Sequence, residues 1–160
     1  MKVAVIFGSE SDRSVMRKAA DVLRAFDVPF SAHILSAHRV PELLRQTLQD
    51  LEAEGVDLFI AGAGLAAHLP GVIASLTLLP VIGVPLASGG LGGLDALFSI
   101  VQMPKQVPVA TVGVDNAANA AYLACRILAL KYPDMKRKLA EFTENMRAEF
   151  AAENAQGVEL

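Results

Sequence analysis

Three short polar segments interrupt the largely apolar N-terminal half of this chain, and their side chains could bind an anion and move a proton. They span residues 8–12, 36–39 and 62–71. Serine hydroxyls, an arginine and glycine amides are groups that hold phosphate, and histidine exchanges protons near neutral pH. The segments therefore predict a site for a phosphorylated small molecule, with a histidine available for proton transfer.

The first segment has the composition of a phosphate-binding turn. Gly8 permits a tight turn from strand into helix, Ser9 and Ser11 offer hydroxyls, and a helix that begins there offers free amides and a positive dipole end. Asp12 would repel phosphate, so we expect it to hold sugar hydroxyls or a ring nitrogen. The alternative, which does not exclude ligand binding, is that Ser11 or Asp12 simply caps the helix.

The second segment sets His38 beside Arg39, just before a helix with Pro41 in its first turn. An arginine can pair with phosphate through two hydrogen bonds, and His38 is the first candidate for proton transfer. The alternative is an exposed histidine–arginine pair without a role. Ser36 and His38 do not predict a hydrolase, because no nucleophile elbow surrounds the serine.

The third segment places His68 in an uncharged stretch, where either a structural role or a place in the site is possible. Gly62 and Gly64 would let backbone amides approach a small anion. His33 lies within a predicted strand and Cys125 in the middle of a predicted helix, so we expect both to be structural. No metal-ligand spacing and no signature of an organic cofactor is present, and we expect neither group.

Composition predicts one domain that associates with copies of itself. Of the 160 residues, 53% are hydrophobic and only 6% aromatic, and mean hydropathy is +0.42. A monomer of this size would leave much of this apolar surface exposed to water, which favours a homo-oligomer. The net charge of −3 and the absence of a basic patch argue against nucleic acid as a partner. The lone cysteine excludes an intrachain disulfide and suits a cytoplasmic protein.

Residues 58–94 contain no Asp, Glu, Lys or Arg, a run long enough to cross a bilayer. Pro70, Pro80, Pro85 and several glycines divide it into short pieces, and irregular backbone exposed to lipid is not tolerated. We therefore expect no membrane span. No signal peptide is apparent either, since Met1 and Lys2 lead directly into an apolar strand.

Strand and helix patterns alternate along the chain, which predicts an α/β fold with a parallel sheet and right-handed crossovers. The predicted strands span 3–7, 29–35, 58–61, 81–84 and 109–112. The predicted helices span 11–26, 40–54, 66–76, 92–101 and 117–130, followed by a charged helix over 133–154. We thus predict a single domain over 1–160, with a core over 1–132 and a loosely ordered tail over 155–160.

Five such units favour a flavodoxin-like doubly wound sheet in the order 2-1-3-4-5. Ligands bind such sheets outside the carboxyl ends of the strands, where the strand order reverses. In this order strand 1 lies between strands 2 and 3, so the three polar segments that follow these strands should meet in one site.

Four motifs together point to a known family. They are Gly8-Ser-x-Ser-Asp12, Ser36-Ala-His-Arg-x-Pro41, Gly62-Ala-Gly-x-Ala-Ala-His-Leu-Pro-Gly71 and Ser99-Ile-Val-Gln-Met-Pro104. In this order, over residues 3–130, the chain resembles the class I N5-carboxyaminoimidazole ribonucleotide mutases of bacterial purine biosynthesis (PurE). The Ala-Ala-His-Leu-Pro stretch favours class I over the class II enzymes, which carboxylate aminoimidazole ribonucleotide directly with carbon dioxide.

The resemblance implies a flavodoxin-like subunit of a cytoplasmic homo-octamer that moves a carboxylate from N5 to C4 of the imidazole ribonucleotide without cofactor, metal or ATP. It makes His38 the general acid and base. The residues implied to contact the ribonucleotide or its migrating carboxylate are Ser9, Asp12, Arg39, Ser11, Ser36, Gly64, Ala67, His68 and Leu69.

The residues support a mechanism for that transfer. The carbamate would lose carbon dioxide as N5 gains a proton, C4 would attack the trapped carbon dioxide, and His38 would then remove the C4 proton. A dry, uncharged pocket would retain carbon dioxide and exclude water, and the charge-free run from Leu58 offers such walls. Direct carboxylation of aminoimidazole ribonucleotide and a non-catalytic flavin- or nucleotide-binding module remain as alternatives.

Overall fold

The computed structural model describes residues 1–155 and Gly157. The tail predicted over 155–160 lies outside the described residues, except for Ala155, which ends the last helix, and Gly157. Among the residues described, no helix combines the length and the apolar character that a membrane crossing requires.

A five-stranded sheet forms the centre of the molecule. Its strands are β1 (Val3–Phe7), β2 (Phe30–Ile34), β3 (Leu58–Gly64), β4 (Val81–Leu86) and β5 (Ala110–Thr111). They pair in the order β2-β1-β3-β4-β5, and every neighbouring pair is parallel. The predicted fold class and strand order are confirmed.

Within the described residues, six α-helices alternate with and follow the strands. They are α1 (Arg13–Ala25), α2 (Pro41–Ala53), α3 (Leu69–Leu76), α4 (Leu94–Val101), α5 (Ala117–Leu128) and α6 (Pro133–Ala155). Short 3-10 turns at Glu10–Asp12 and Gly89–Leu91 precede α1 and α4.

The apolar side chains of the strands form two cores, one on each face of the sheet. Val3 and Val5 of β1 pack with α1, α5 and α6, whereas Ala4 and Ile6 pack with α2, α3 and α4. Successive strand residues point to opposite faces of the sheet, and helices cover both faces. All five residues of β1 are therefore buried. The central strands are therefore rigid supports for the loops at their carboxyl ends.

The third strand is longer than predicted, and the helix after it is shorter. Gly62 and Gly64, predicted to lie in a loop, pair with Val84 and Leu86 of β4, and α3 begins at Leu69 rather than at residue 66. Glycine at position 62 serves packing, because a Cβ there would lie 2.4 Å from the Sδ of Met16 in α1. Local composition does not distinguish a closely packed strand glycine from a loop glycine.

Helix α6 packs on the molecule mainly through its N-terminal half. Met135 is fully buried, Phe142 contacts Phe26 edge-on at a centroid distance of 5.3 Å, and Lys138 Nζ donates to the Phe26 carbonyl at 3.0 Å. Further along, Phe150 is 66% exposed. The apolar side chains of this helix are thus only partly covered within one chain.

Candidate active site

The loops at the carboxyl ends of β1 to β4 enclose a cavity of about 510 Å³. It lies at the reversal of strand order where a doubly wound sheet binds ligands. Nine of the ten predicted site residues line it: Ser9, Ser11, Asp12, Ser36, His38, Arg39, Gly64, His68 and Leu69. The tenth, Ala67, is 1% exposed and packs into the core beneath.

The turn after β1 is held by side-chain hydrogen bonds rather than by a helix cap. The Ser11 hydroxyl donates to Ser9 Oγ at 3.0 Å and to Asp12 Oδ1 at 3.4 Å. Asp12 occupies the N-cap position of α1, but its side chain caps nothing and its φ and ψ of −84° and −14° are helical. A capping residue needs extended dihedral angles, so the alternative that Ser11 or Asp12 caps the helix is wrong.

Asp12 is the one buried charged residue in the part of the chain that the structure describes, at 8% exposure. Burial raises the pKa of its carboxyl group, while hydrogen bonding with the Ser9 backbone and the Ser11 hydroxyl and the charge of Arg39 oppose that rise. A carboxylate in this setting can accept hydrogen bonds from the hydroxyl or N–H groups of a ligand.

Arg39 joins the loops after β2 and β1. One terminal nitrogen of its guanidinium donates to the Gly8 carbonyl at 2.7 Å, and its backbone amide donates to Ser36 Oγ at 3.3 Å. A guanidinium has five N–H donors, so the bond to Gly8 orients the group and leaves donors for an anion. The side chain is exposed, within the cavity lining.

His38 and His68 meet across the cavity. Nε2 of His38 lies 2.8 Å from Nδ1 of His68, and the two rings stand edge to face with their centroids 4.8 Å apart. His68 therefore lines the cavity beside His38 rather than packing into the core, and its role in binding or catalysis stays a prediction. The contact joins residues 30 positions apart.

Apolar groups form much of the remaining wall. The segment after β3 contributes Leu65, Ala66 and Leu69, and Ala63 lines the cavity from the strand itself. Leu65 has a left-handed backbone, with φ of +55°, a conformation that is strained for a branched side chain and often found near functional sites.

The two residues predicted to be structural, His33 and Cys125, lie outside the cavity. His33 contacts Ser31 Oγ at 3.0 Å on β2. Cys125 is fully buried in α5, and burial raises the pKa of its thiol to about 11. Over residues 1–155 and Gly157, no cluster of three His, Cys, Asp or Glu side chains suited to a metal ion occurs.

A family model described as AIR carboxylase matches residues 2–149. The chain belongs to the AIR carboxylase family. This membership confirms the resemblance predicted from the four sequence motifs.

Relatives in the AIR carboxylase family are similar over nearly the whole chain. A protein of Pyrococcus abyssi named N5-carboxyaminoimidazole ribonucleotide mutase is 55% identical over 146 residues, which cover 91% of this chain and 84% of that protein. A protein of Thermotoga maritima with the same name is 51% identical over 158 residues, or 99% and 92% of the two chains. A Schizosaccharomyces pombe protein named phosphoribosylaminoimidazole carboxylase is 48% identical over 98% of this chain but only 28% of its own length.

The fold also matches a solved structure over nearly its whole length. The crystal structure of Treponema denticola PurE is 26% identical and covers 99% of both chains, with a TM-score of 0.91.

Ser88 is a lining residue of this AIR carboxylase family member that sequence reasoning missed. It follows β4 and faces Gly64, where an added Cβ would lie 2.6 Å from Ser88 Oγ. The available signal was strand order, because β4 neighbours β3 and its carboxyl end meets the same edge of the sheet.

Proposed function

We propose that this chain converts N5-carboxyaminoimidazole ribonucleotide to 4-carboxy-5-aminoimidazole ribonucleotide, an isomerisation in purine biosynthesis. The observation that carries the proposal is the convergence of His38, Arg39 and Asp12 on one cavity. Relatives named as mutases of this substrate, at 55% and 51% identity, support the same reaction.

In the proposed complex, Ser9, Ser11 and Arg39 hold the phosphate, and Asp12 accepts hydrogen bonds from the ribose hydroxyls. Ser36 supports this arrangement, because its hydroxyl accepts from the Arg39 backbone. The positions of the loops support a binding mode in which the phosphate lies toward β1 and β2 and the imidazole ring lies toward β3. Asp12 then stands beside uncharged hydroxyls rather than the phosphate, which avoids repulsion between two anions.

His38 performs both proton transfers of the proposed reaction. As the bond between N5 and the carboxylate carbon breaks, its electron pair remains on N5, and His38 donates the proton that N5 takes up. The C4 carbon then attacks the released carbon dioxide, and neutral His38 removes the C4 proton. The transfers balance, so the enzyme returns to its starting protonation state without an external acid, base, metal, cofactor or ATP.

Retention of carbon dioxide between the two steps requires walls that exclude water. Ala63, Leu65, Ala66 and Leu69 supply apolar surface on the β3 side of the cavity. We propose that residues 64–69 enclose the migrating carboxylate, with Ala67 acting through its backbone because its side chain is in the core.

Separate assays of the two candidate substrates test the reaction. Without ATP, the purified protein should convert N5-carboxyaminoimidazole ribonucleotide to the C4 carboxylate. Direct carboxylation of aminoimidazole ribonucleotide is the second candidate, favoured by the name of the Schizosaccharomyces pombe relative. Conversion only from aminoimidazole ribonucleotide plus carbon dioxide would overturn the mutase assignment. Retained flavin with visible absorbance and no turnover would instead favour a binding module.

Replacement of Arg39 tests the phosphate contact. Arg39→Ala should raise KM or the substrate dissociation constant by roughly 10- to 100-fold, since a hydrogen bond to a charged group is worth about 1.5–3 kcal/mol. Arg45→Ala, which removes an exposed arginine of α2 outside the cavity, is the matched control. Equal affinity of both variants and the parent would remove Arg39 from the binding site.

We further propose that the chain assembles as a homo-octamer in the cytoplasm. Four apolar side chains at helical spacing on and before α4 support self-association: Leu91, Leu94, Phe98 and Val101 are 51–65% exposed in the single chain. Light scattering coupled to gel filtration gives the mass directly, and a monomeric mass would contradict the proposal. Phe98→Glu should reduce the assembly by introducing a charge into this apolar surface.

A further inference from the structure

The contact between His38 and His68 restricts where protons can lie. Nε2 of His38 and Nδ1 of His68 are 2.8 Å apart, which is a hydrogen-bond distance. If both facing nitrogens were unprotonated, their lone pairs would repel each other. If both were protonated, their hydrogens would clash. One nitrogen must therefore donate and the other accept, so the protonation of each ring depends on the other.

We propose that His68 is a positioning residue that keeps a hydrogen on Nε2 of His38, so that Nδ1 of His38 both donates and accepts the proton in catalysis. This inference rests on the proposed function of the site. In the acidic state His38 carries hydrogen on both ring nitrogens. Its Nε2–H donates to the lone pair on Nδ1 of a neutral His68, and its Nδ1–H is the proton given to N5.

The same contact prepares His38 for the second transfer. Once Nδ1 has lost its proton, the remaining hydrogen stays on Nε2 because His68 continues to accept it. The lone pair is then on Nδ1, the atom that must receive the C4 proton. Without an acceptor at Nε2, the neutral imidazole could shift its hydrogen to Nδ1 and lose the base at the reacting position. A neighbouring acceptor that fixes a histidine tautomer is a known device in enzymes.

The other charged groups of the cavity are compatible with one proton shared by the pair. Arg39 and Asp12 are the remaining ionisable residues of the lining, and they bring opposite charges. A second positive charge would place hydrogens on both facing nitrogens and break the contact. The pair therefore carries at most one positive charge while it stays bonded.

Nitrogen NMR tests the inference without any turnover. The chain has three histidines, so selective ¹⁵N labelling and single His→Asn variants assign every ring, with His33 as an internal reference outside the cavity. The neutral His38 of the parent should be mostly the Nε2–H tautomer. His68→Leu, which removes the acceptor, should shift it toward a mixture or toward Nδ1–H. A parent in the Nδ1–H form, or an unchanged His38 spectrum in His68→Leu, would overturn the proposal.

Kinetics provide the second readout. His68→Leu should lower kcat by about 10- to 100-fold, the usual cost of losing an orienting partner, and move the pH dependence of kcat with a small change in KM. His68→Asn, whose side-chain oxygen can accept near the position of Nδ1, should recover most of the loss, and His33→Asn should match the parent. A rise in KM alone, or equal losses in His68→Leu and His68→Asn, would show that His68 does not act through the tautomer of His38. If the parent lacks mutase activity, the proposed function fails, whereas the NMR result still decides the tautomer.

Discussion

His38 is the residue on which the proposed chemistry depends, and it is exposed in the cavity with its Nε2 against His68. His38→Asn keeps a polar side chain of similar size but removes the imidazole that can donate and accept a proton. We expect the variant to fold and bind the ribonucleotide while kcat falls by at least about 100-fold, since general acid–base catalysis contributes about 10²–10⁴-fold. Turnover assays with ligand titration check this, and near-parental turnover would show that His38 is not the acid and base.

The buried carboxylate of Asp12, which the proposed binding mode requires, lowers the stability of the fold. Burial raises the pKa of its carboxyl group, so between the ordinary pKa, about 3.9, and the raised value the folded state binds more protons than the unfolded state. The free energy of unfolding then falls as pH rises through this window. Asp12→Asn should therefore be more stable than the parent at pH 7, by roughly 0.5–2 kcal/mol, and should bind the ribonucleotide more weakly.

The test for Asp12 is urea unfolding at two pH values together with substrate binding. The stability gain of Asp12→Asn should disappear below about pH 3.9, where the parent carboxyl is protonated in both states. A variant less stable than the parent at pH 7 would mean that the hydrogen bonds of the carboxylate outweigh the cost of its burial.

At the scale of elements, the positions of β4 and α4 depend on a glycine that leaves no room for a side chain. A Cβ on Gly83 of β4 would lie 2.4 Å from Ile100 Cγ2 of α4 and 2.9 Å from Val109 Cγ1. Both neighbours are β-branched and have few alternative rotamers. Gly83→Ala should therefore push α4 away from the sheet and lower the free energy of unfolding by about 1–3 kcal/mol, the usual cost of overpacking.

Gly90→Ala is the matched control for Gly83→Ala, because a Cβ on Gly90 would meet nothing within 4 Å. Urea midpoints compared at equal m-values measure the two effects. If Gly83→Ala unfolds at the same urea concentration as Gly90→Ala, the contact between β4 and α4 is adaptable and glycine is not required there.

At the scale of the whole molecule, Asp57 connects the start of the chain with the junction of α5 and α6. Its carboxylate accepts from the Lys2 amide at 3.0 Å, Lys131 Nζ at 2.8 Å and the Tyr132 hydroxyl at 2.9 Å. Burial acts to raise the pKa of Asp57, but these hydrogen bonds outweigh it and the pKa is lowered. One carboxylate thus connects segments far apart in sequence. It lies at the amino end of β3, opposite the end that carries the cavity.

A lowered carboxyl pKa contributes stability above the unfolded value, about 3.9, and this contribution is lost as pH falls through the folded value. Asp57→Asn should therefore cost about 1–3 kcal/mol at pH 7 and much less in acid, with activity per folded molecule unchanged. Asp21→Asn, which breaks an exposed pair with Arg24, should cost about 0–1 kcal/mol. Chemical unfolding at pH 7 and in acid checks both variants, and equal losses would contradict the role of Asp57.

The fold and most of the site could be predicted from the sequence because they depend on local signals. Apolar runs of about five residues alternate with segments whose apolar residues have helical spacing. Polar, glycine-containing segments follow the first three strands. The strand order that these signals predict places Ser9, His38 and His68 at the same end of the sheet.

Tertiary structure alone decided how those residues meet. The 2.8 Å contact of His38 with His68 joins residues 30 positions apart on separate loops, and periodicity does not encode the side-chain rotamers that make it. The burial of Asp12, the pairing of Gly62 and Gly64 in β3 and the approach of Ser88 to Gly64 likewise arise from packing between elements distant in sequence. The sequence by itself determined which groups gather at the cavity, because strand order follows from local patterns. Only the packed chain determined their hydrogen-bond partners and protonation, because these depend on distances of a few ångströms between separate loops.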